Sequence, residues 1–414
     1  MSTSSVVNRF MKYVTFDTQA VRDTGRVPSS KGQFALARYL TDELRGIGLK
    51  DAACDEHAYV IATLPANSER EIPTVALIAH LDTAFETNGR DVRPRIVRYE
   101  GGDVVLDEAR DIRIPLADYP ELAEFRGEEL IVTDGSTLLG GDDKAGIAAI
   151  VDAVERLAQH PEVEHGTVKV VFTPDEEIGH LAAYLDLEKL GADFAYTVDA
   201  GDVGELSWET FNAATATVRT AGRAVHPGEA KGKMKNACVM LLGFIAQLPA
   251  SERPETTEGR EGYFHVVEMN GAVDAATATL FIRDHDRELF EKRKERLCEI
   301  AAGLNAEYGA GSCSVETEDV YYNLGDKLKD KMYIVEYARE AIRRAGIEPY
   351  DFPFRGGTDG ATLTWRGLPT PNIFKGSLNC HGVQEYQPVR SLEKCAEVLV
   401  NVVRVIAESR GGEE

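Results

Sequence analysis

The chain has 414 residues, more than one hydrophobic core usually supports, so its length predicts two domains. Its composition, 43% hydrophobic and 28% charged, is ordinary for a globular enzyme. The formal net charge of −23 argues against a nucleic acid or an anionic membrane as a partner, because both bind cationic surfaces.

The first half of the chain alternates helix-like and strand-like segments. Residues 32–48 have helical spacing and end at a glycine, and residues 144–160 place apolar side chains on one helical face. Three apolar strands are predicted at 74–82, 167–173 and 194–201. Such alternation predicts an α/β domain, in which a mostly parallel sheet is covered by helices.

The pattern changes after residue 208. Strands are predicted at 212–222, 262–270, 276–284 and 312–320, with helices at 235–249 and 287–309. This β-α-β-β-α-β order is that of a ferredoxin-like unit. Because α/β-type segments return after residue 321, we predict a discontinuous catalytic domain, 1–208 and 321–414, with a smaller domain inserted at 209–320.

The six cysteines are widely scattered and include no C-x-x-C pair, which favours reduced thiols over a disulfide framework. The first residues lack the apolar stretch of a secretory signal, and no run approaches the length of a membrane span. These features predict a cytoplasmic protein without a membrane segment.

A histidine and an aspartate stand where the strand at 74–82 ends. His80 and Asp82 are two residues apart, so their side chains share one face of the strand. Open parallel sheets bind ligands at the carboxyl ends of their strands. By itself the pair is more often a hydrogen-bonded structural feature than a site.

Two groups of acidic residues follow the same rule. Asp142 and Asp143 precede a helix, where a single aspartate would be enough to cap the helix. Asp175, Glu176 and Glu177 follow the strand at 167–173. They could form a solvated acidic turn, but three adjacent carboxylates repel one another unless a positive charge lies nearby.

Two more candidates complete the pattern. Asp199 ends the strand at 194–201, and His381 follows a short predicted strand at 370–374. Two imidazoles and several carboxylates suit zinc, and also manganese or cobalt. Three carboxylates and a bridging hydroxide would balance two divalent ions, each bound by one histidine, one terminal carboxylate and a shared carboxylate. The sequence therefore predicts a two-metal site.

The remaining acids at these strand ends have predicted roles around the metals. Asp82 would lie behind His80 and orient its ring. Glu176 and Glu177 would point to opposite sides if the segment is extended, so the two would not share one role, and Glu177 is taken as the one that binds metal. Glu176 would then face the bridging water, take its proton and pass it to a leaving amine.

Eight segments carry a resemblance to a known family: AHLDTA, LLGGDDKAGIA, FTPDEEIG, YTVDAG, RAVHPGEAKGKMKNA, RDHD, FRGGTDGA and PNIF…CHG. They resemble the peptidase T family of tripeptide aminopeptidases, which is part of the dinuclear zinc peptidases related to carboxypeptidase G2. The resemblance extends over essentially the whole chain. It implies a catalytic domain, a lid domain, two zinc ions and removal of the N-terminal residue from tripeptides.

The resemblance also implies roles for single residues. It implies five zinc ligands, namely His80, Asp142 as the bridge, Glu177, Asp199 and His381. It assigns Glu176 as the general base and Asp82 as the carboxylate behind His80. It further implies a cis peptide bond between Asp142 and Asp143.

Three residues are candidates for contacts with the peptide substrate. The resemblance implies that His226, in RAVHPG, donates a hydrogen bond to the developing oxyanion. Without it, His226 would be a loop histidine before proline. Arg283 and Arg355 could bind the C-terminal carboxylate of a tripeptide, although either could be an ordinary surface arginine. Arg355 is favoured because glycines flank it.

Several alternatives stay open at this point. The sequence departs from the family pattern at Gly141, Ala200 and Cys380, and the last of these adjoins His381 on the substrate side. Peptide length and side-chain preference are therefore open, and a related dipeptidase, carboxypeptidase or deacylase is the alternative. A non-catalytic peptide- or metal-binding module is a more distant alternative, because no proposed ligand or base is missing. A homodimer is a candidate assembly.

Overall fold

The structure is a computed structural model that describes residues 4–180 and 182–409. Its contacts divide the chain into two compact units. Unit 1 comprises the described residues up to Trp208, the segment Lys327–Phe352 and the described residues from Thr358 onward. Unit 2 comprises Glu209–Asp326 and Pro353–Gly357.

The strands of the described residues are numbered in chain order. They are β1 Ala53–Cys54, β2 Val60–Leu64, β3 Val75–His80, β4 Arg95–Arg98, β5 Val104–Asp107, β6 Ile112–Ile114, β7 Glu129–Val132, β8 Val168–Thr173, β9 Phe194–Ala200, β10 Glu205–Ser207, β11 Asn212–Ala221, β12 Tyr263–Gly271, β13 Ala275–Asp284, β14 Cys313–Tyr321, β15 Tyr350–Asp351, β16 Asn372–Phe374 and β17 Gln387–Pro388.

The α-helices are numbered in the same way. They are α1 Ser5–Tyr13, α2 Lys31–Ile47, α3 Gly141–Gln159, α4 Leu187–Leu190, α5 Ala237–Ile245, α6 Arg287–Tyr308, α7 Gly325–Leu328, α8 Met332–Arg344, α9 Asp359–Trp365 and α10 Val389–Glu408. Among the described residues, no helix combines the length and the apolar character that crossing a membrane requires.

Unit 1 is built on an eight-stranded sheet with the order β1-β2-β8-β3-β9-β16-β10-β15. Its central strands β8, β3, β9 and β16 are parallel to one another. Both faces of these strands are buried. In β3, Leu77 and Ala79 belong to the large core under α1, α2, α3 and α10, whereas Ala76 and Ile78 belong to a second cluster. Burial on both faces explains why the strand is a continuous apolar run.

Unit 2 has a four-stranded sheet with the order β12-β13-β11-β14, in which all neighbouring pairs are antiparallel. Its elements follow each other as β11-α5-β12-β13-α6-β14. Alternate residues of β13 face the core with α5 and α6, among them Leu280 and Ile282. This is the ferredoxin-like arrangement that the β-α-β-β-α-β order predicts.

The predicted fold class is confirmed: a mostly parallel sheet covered by helices, together with a ferredoxin-like unit. The division at residues 208 and 321, and the role of residues 209–320 as a lid, stay predictions. Sequence analysis missed a three-stranded sheet, β17-β7-β4, and the hairpin β5-β6, which unit 1 carries in addition to the main sheet.

Candidate active site

The predicted site residues of unit 1 come from the carboxyl ends of four neighbouring parallel strands. His80 is the last residue of β3, and Asp199 lies one residue before the end of β9. A 3₁₀ turn, Glu176–Ile178, follows β8, and the loop after β16 carries His381. The first turn of α3 supplies Asp142 from the side. The topology therefore gathers acids and imidazoles at one edge of the sheet.

Asp142 joins two groups of potential ligands. Its Oδ1 lies 3.0 Å from Nε2 of His80, which is itself 3.8 Å from Oδ1 of Asp199. Its Oδ2 lies 3.4 Å from Nε2 of His381, and that nitrogen is 3.2 Å from Oε1 of Glu177. The five residues thus form two triads that share one carboxylate.

The backbone around Asp142 has the features of a shaped site. The peptide bond between Asp142 and Asp143 is cis. Gly146, one turn into α3, lets this helix approach β9 closely, because a β-carbon there would lie 2.3 Å from the carbonyl oxygen of Val198. Asp143 belongs to neither triad and accepts hydrogen bonds from the amides of His80 and Gly146.

Asp82 makes more contacts in the structure than the single contact with His80 that the sequence analysis predicts. It is fully buried, and its two carboxylate oxygens accept hydrogen bonds from the amides of Glu176 and Glu177, each at 3.0 Å. Its Oδ1 is 3.4 Å from Nδ1 of His80, whereas its backbone carbonyl is closer, at 3.1 Å. Asp82 therefore fixes the acidic turn as well as the ring of His80.

The acidic turn differs from the extended segment assumed in the sequence analysis. Asp175 has a φ of +58°, and the chain then enters the 3₁₀ turn that contains Glu176 and Glu177. Ser29 and Gln33 hold the Asp175 carboxylate in place. Successive side chains of a 3₁₀ helix are about 120° apart, so these two glutamates still diverge, although for a different reason.

Two charged residues of the site were missed in the sequence analysis. Lys375 directly follows β16, and its ammonium group donates to Oδ1 and to the backbone carbonyl of Asp199, each at 2.9 Å. Glu385 is buried and accepts hydrogen bonds from the amides of Leu139, Gly140 and Asp142. Lys375 could have been found by the rule that identified Asp199, because it too ends a strand at this edge.

Comparison with known proteins decides the family. The model of peptidase family M20/M25/M40 matches residues 124–405. A peptidase T of Parabacteroides distasonis is 49% identical over 403 residues, which cover 97% of this chain and 99% of that protein. The chain belongs to peptidase family M20/M25/M40.

Solved structures show the fold of the M20 family over nearly the whole chain. A tripeptidase from Staphylococcus aureus superposes with a TM-score of 0.78 at 22% identity, and 98% of each chain is covered. A Bacillus subtilis protein described as a dinuclear metal binding peptidase of the M20 family gives a TM-score of 0.66 at 14% identity, covering 97% of this chain and 98% of that one.

Membership of the M20 family confirms the prediction of a hydrolase of the metallopeptidase type, related to peptidase T. A metal-dependent aminopeptidase is the function that these relatives support. The relatives do not test the roles of single residues, which stay predictions. The geometry of unit 1 nevertheless bears on how its residues could hold metal ions.

The donor set fits divalent metal ions. In each triad one ligand atom per residue lies within 4.8 Å of the others. The Oε1 atom of Glu177 is buried and has no hydrogen-bond partner, although it lies 3.2 Å from Nε2 of His381. A buried polar oxygen without a partner is costly unless a cation contacts it. Imidazole nitrogens and carboxylate oxygens suit zinc, manganese or cobalt.

The charges of the site lead to the same conclusion. Burial alone would lower the pKa of His80, but hydrogen bonds that its ring donates to Asp142 and Asp82 outweigh this effect and hold the pKa well above its usual range. The nearby carboxylates of Asp142 and Glu177 raise the pKa of His381 to about 11. Burial raises the pKa of Glu177 to about 7. The carboxylates thus favour protonated forms of His80 and His381, and divalent cations would replace those protons.

The departures from the family pattern have local explanations. Gly141 has no room for a side chain, because a β-carbon there would lie 2.3 Å from Oγ of Ser377. Ala200 is fully buried in β9 and packs in the large core. Cys380 is a half-buried free thiol beside His381. None of the three removes a potential metal ligand.

The predicted substrate residues belong to unit 2. His226 is exposed, and its Nδ1 accepts a hydrogen bond from the amide of Gly228. Arg283, on β13, donates to the carbonyls of Ala214 and Ile282. Within unit 2, Arg283 is paired with Tyr263 across β13 and β12, and the guanidinium of Arg355 lies 5.5 Å from the ring centre of the same tyrosine. His226 lies in the separate loop after β11.

Arg355 is already bound within unit 2. Its guanidinium donates to the carbonyls of Gly259 and Glu261 and to the hydroxyl of Thr257. It also lies 5.1 Å from the ring centre of Phe211. These contacts use three of the five N–H groups of an arginine. Two donors are therefore left for a carboxylate.

Proposed function

We propose that this chain is an aminopeptidase that removes the N-terminal residue from tripeptides and requires two divalent metal ions. The observation that carries the proposal is the position of Asp142, which faces His80 and Asp199 with one oxygen and Glu177 and His381 with the other. A carboxylate shared in this way is typical of two-metal hydrolases. The peptidase T relatives support the reaction class.

The proposed ligands are His80, Asp142 and Asp199 for one ion and Asp142, Glu177 and His381 for the other. We propose zinc, because it accepts mixed nitrogen and oxygen ligands and needs no thiolate. When bound, the divalent ions supply polarisation of the scissile carbonyl and a water molecule of lowered pKa. Asp82 holds His80 and the acidic turn in position.

Glu176 is the proposed general base. It follows β8 and is half-buried, and its backbone is held by Asp82. Burial raises the pKa of its carboxyl well above the usual range; the charge of His80 opposes the rise, and that of Asp199 adds to it. A carboxylate of raised pKa can take a proton from water and return it to the leaving amine. Water and amine thus exchange the proton through one side chain.

His226 is the proposed donor to the oxyanion. Since its Nδ1 accepts a hydrogen bond from the amide of Gly228, the neutral ring carries its proton on Nε2. An N–H of this kind can donate to a developing negative charge. Arg283 and Arg355 are the proposed contacts for the C-terminal carboxylate of the peptide, with two N–H groups of Arg355 left to donate.

The location and assembly of the protein are part of the proposal. The described cysteines are all free thiols, which supports a reducing, cytoplasmic location. The edge strand β12 exposes Val267 and Met269, which supports a homodimer through the edge of the unit 2 sheet.

One assay tests the proposed function and separates it from its alternatives. Zinc is measured by mass spectrometry, and turnover of Leu-Gly-Gly is followed before chelation, after chelation and after zinc is restored. We expect two zinc ions per chain in excess zinc, free leucine as the first product, and little turnover of Leu-Gly or N-acetyl-Leu-Gly-Gly. Release of glycine first would indicate a carboxypeptidase, and preference for the dipeptide or the acylated peptide would indicate a dipeptidase or a deacylase.

A further inference from the structure

Lys375 places a positive charge on one of the two triads. Its side chain is buried, with 5% of its surface exposed. Nζ lies 2.9 Å from Oδ1 of Asp199 and 3.4 Å from Oδ1 of Asp142. These are the same oxygens that face Nε2 of His80. The ammonium group therefore contacts the two carboxylates that would bind the ion of this triad.

The ammonium group is also anchored. Nζ donates to the backbone carbonyl of Asp199, which cannot move away as a side chain can. The backbone amide of Lys375 donates to the carbonyl of Ala200, because β16 and β9 are adjacent parallel strands. A lysine held in this way keeps its charge near the ligands even when their carboxylates turn toward an ion.

Among the described residues, no lysine is paired with Glu177 or with Oδ2 of Asp142, the carboxylate atoms of the second triad. Among the ion pairs of the described residues, Glu177 is paired only with His381, and Oδ2 of Asp142 is also paired only with His381. The buried Oε1 of Glu177 has no hydrogen-bond partner. The two triads thus have similar ligands but different charge, because an ammonium group already compensates one of them.

We propose that Lys375 makes the two metal positions unequal, so that the chain holds one divalent ion firmly at Asp142, Glu177 and His381. The position at His80, Asp142 and Asp199 then binds its ion weakly, because the ion must approach a fixed positive charge. This inference rests on the metal ligands of the proposed function. Like charges a few ångströms apart in a protein interior repel strongly enough to weaken the second ion by ~100-fold or more.

Zinc binding without any peptide tests this inference. The metal-free full chain is dialysed against a chelator-buffered zinc solution, and retained zinc is counted by mass spectrometry; affinities follow from titration calorimetry. We expect the wild type to retain one zinc ion, and Lys375→Met to retain two, with the weaker site tightened by about 100-fold or more. Lys375→Gln, which keeps a hydrogen-bond donor without the charge, should behave in the same way and replaces Lys375→Met if that variant does not fold.

Two further variants serve as controls. Lys394→Met removes another half-buried lysine of unit 1, which donates to the carbonyl of Ala345 and to Glu397, and it should retain one zinc ion as the wild type does. His381→Ala should retain none in the wild-type background and one in the Lys375→Met background. That pattern would assign the firmly held ion to the His381 triad.

Three results would contradict the inference. Two equally tight zinc ions in the wild type, or only one in both Lys375 variants, would overturn it and leave the proposed function standing. Retention of no zinc by the wild type and by both variants would overturn the proposed metal ligands, and with them both proposals. The failure of the one proposal is thereby distinguished from the failure of the other.

Discussion

Replacing Gly141 by alanine tests how closely the loop that carries His381 packs against the start of α3. A β-carbon at this position would lie 2.3 Å from Oγ and 2.9 Å from Cβ of Ser377, and 3.0 Å from Oε1 of Glu385. Favourable contacts between carbon atoms begin at about 3.5 Å. Either Ser377 must move by roughly 1 Å or the start of α3 must move away from it.

The expected cost follows from these contacts. Overpacking a buried site costs ~1–3 kcal/mol. Moving Ser377 also breaks the hydrogen bond from its hydroxyl to Oε1 of Gln387, which adds about 1 kcal/mol. We therefore expect Gly141→Ala to lower the free energy of unfolding by about 2–4 kcal/mol. Zinc affinity should fall as well, because the displaced segment includes Asp142.

Urea unfolding of the metal-free protein measures the effect. Gly46→Ala is the matched control, because Gly46 lies in α2 with open space around its added carbon, and it should change stability by at most about +1 kcal/mol. In the double variant with Ser377→Gly the new methyl group gains room. The loss of unfolding free energy in the double variant should therefore be smaller than the sum of the two single losses by at least ~1 kcal/mol. If Gly141→Ala is as stable as the wild type, or if the two changes are additive, the packing argument is wrong.

Three further predictions concern single residues of unit 1. Glu176→Gln should keep its zinc but lower turnover by ~10²-fold or more, because it removes the proposed base. Glu177→Gln should instead lose zinc. If Glu176→Gln retained its activity, the role of Glu176 as base would be contradicted. Asp82→Asn should lower the free energy of unfolding, measured in urea, by about 2–4 kcal/mol, because its NH2 group would replace one of the two oxygens that accept from the amides of Glu176 and Glu177. An unchanged urea midpoint would contradict this. Burial lowers the pKa of Lys144 to about 8, so the folded chain binds fewer protons than the unfolded chain between about pH 8 and 10.5. The free energy of unfolding of the wild type should therefore rise with pH over this window relative to that of Lys144→Met. Parallel plots of unfolding free energy against pH would refute this prediction.

The main sheet could be predicted because its strands are long apolar runs. The three apolar strands of the first half appear in the structure as β3, β8 and β9, within one or two residues at each end. The missed strands have weaker patterns. For example, β4 has only four residues and is half exposed, and β6 has three. Short strands of this kind depend on their partners in the sheet and leave little periodicity in the sequence.

The gathering of the candidate ligands could be predicted for a related reason. Parallel topology brings the ends of β3, β8, β9 and β16 to one edge, so that residues far apart in sequence gather there. The turn after β8 could not be predicted in detail, because its shape depends on the positive φ of Asp175 and on the bonds of that residue to Ser29 and Gln33. Such tertiary contacts have no local signature.

The loop after β16 does more than supply one ligand. His381 approaches Oδ2 of Asp142, and Glu385, four residues later, accepts hydrogen bonds from the amides of Leu139, Gly140 and Asp142. The shared carboxylate is therefore held by the same loop that completes the second triad. Because Gly141 packs against Ser377 in this loop, a change at either end should shift both ligands together. The position of one triad relative to the other thus depends on hydrogen bonds between residues 243 and 246 positions apart in the sequence.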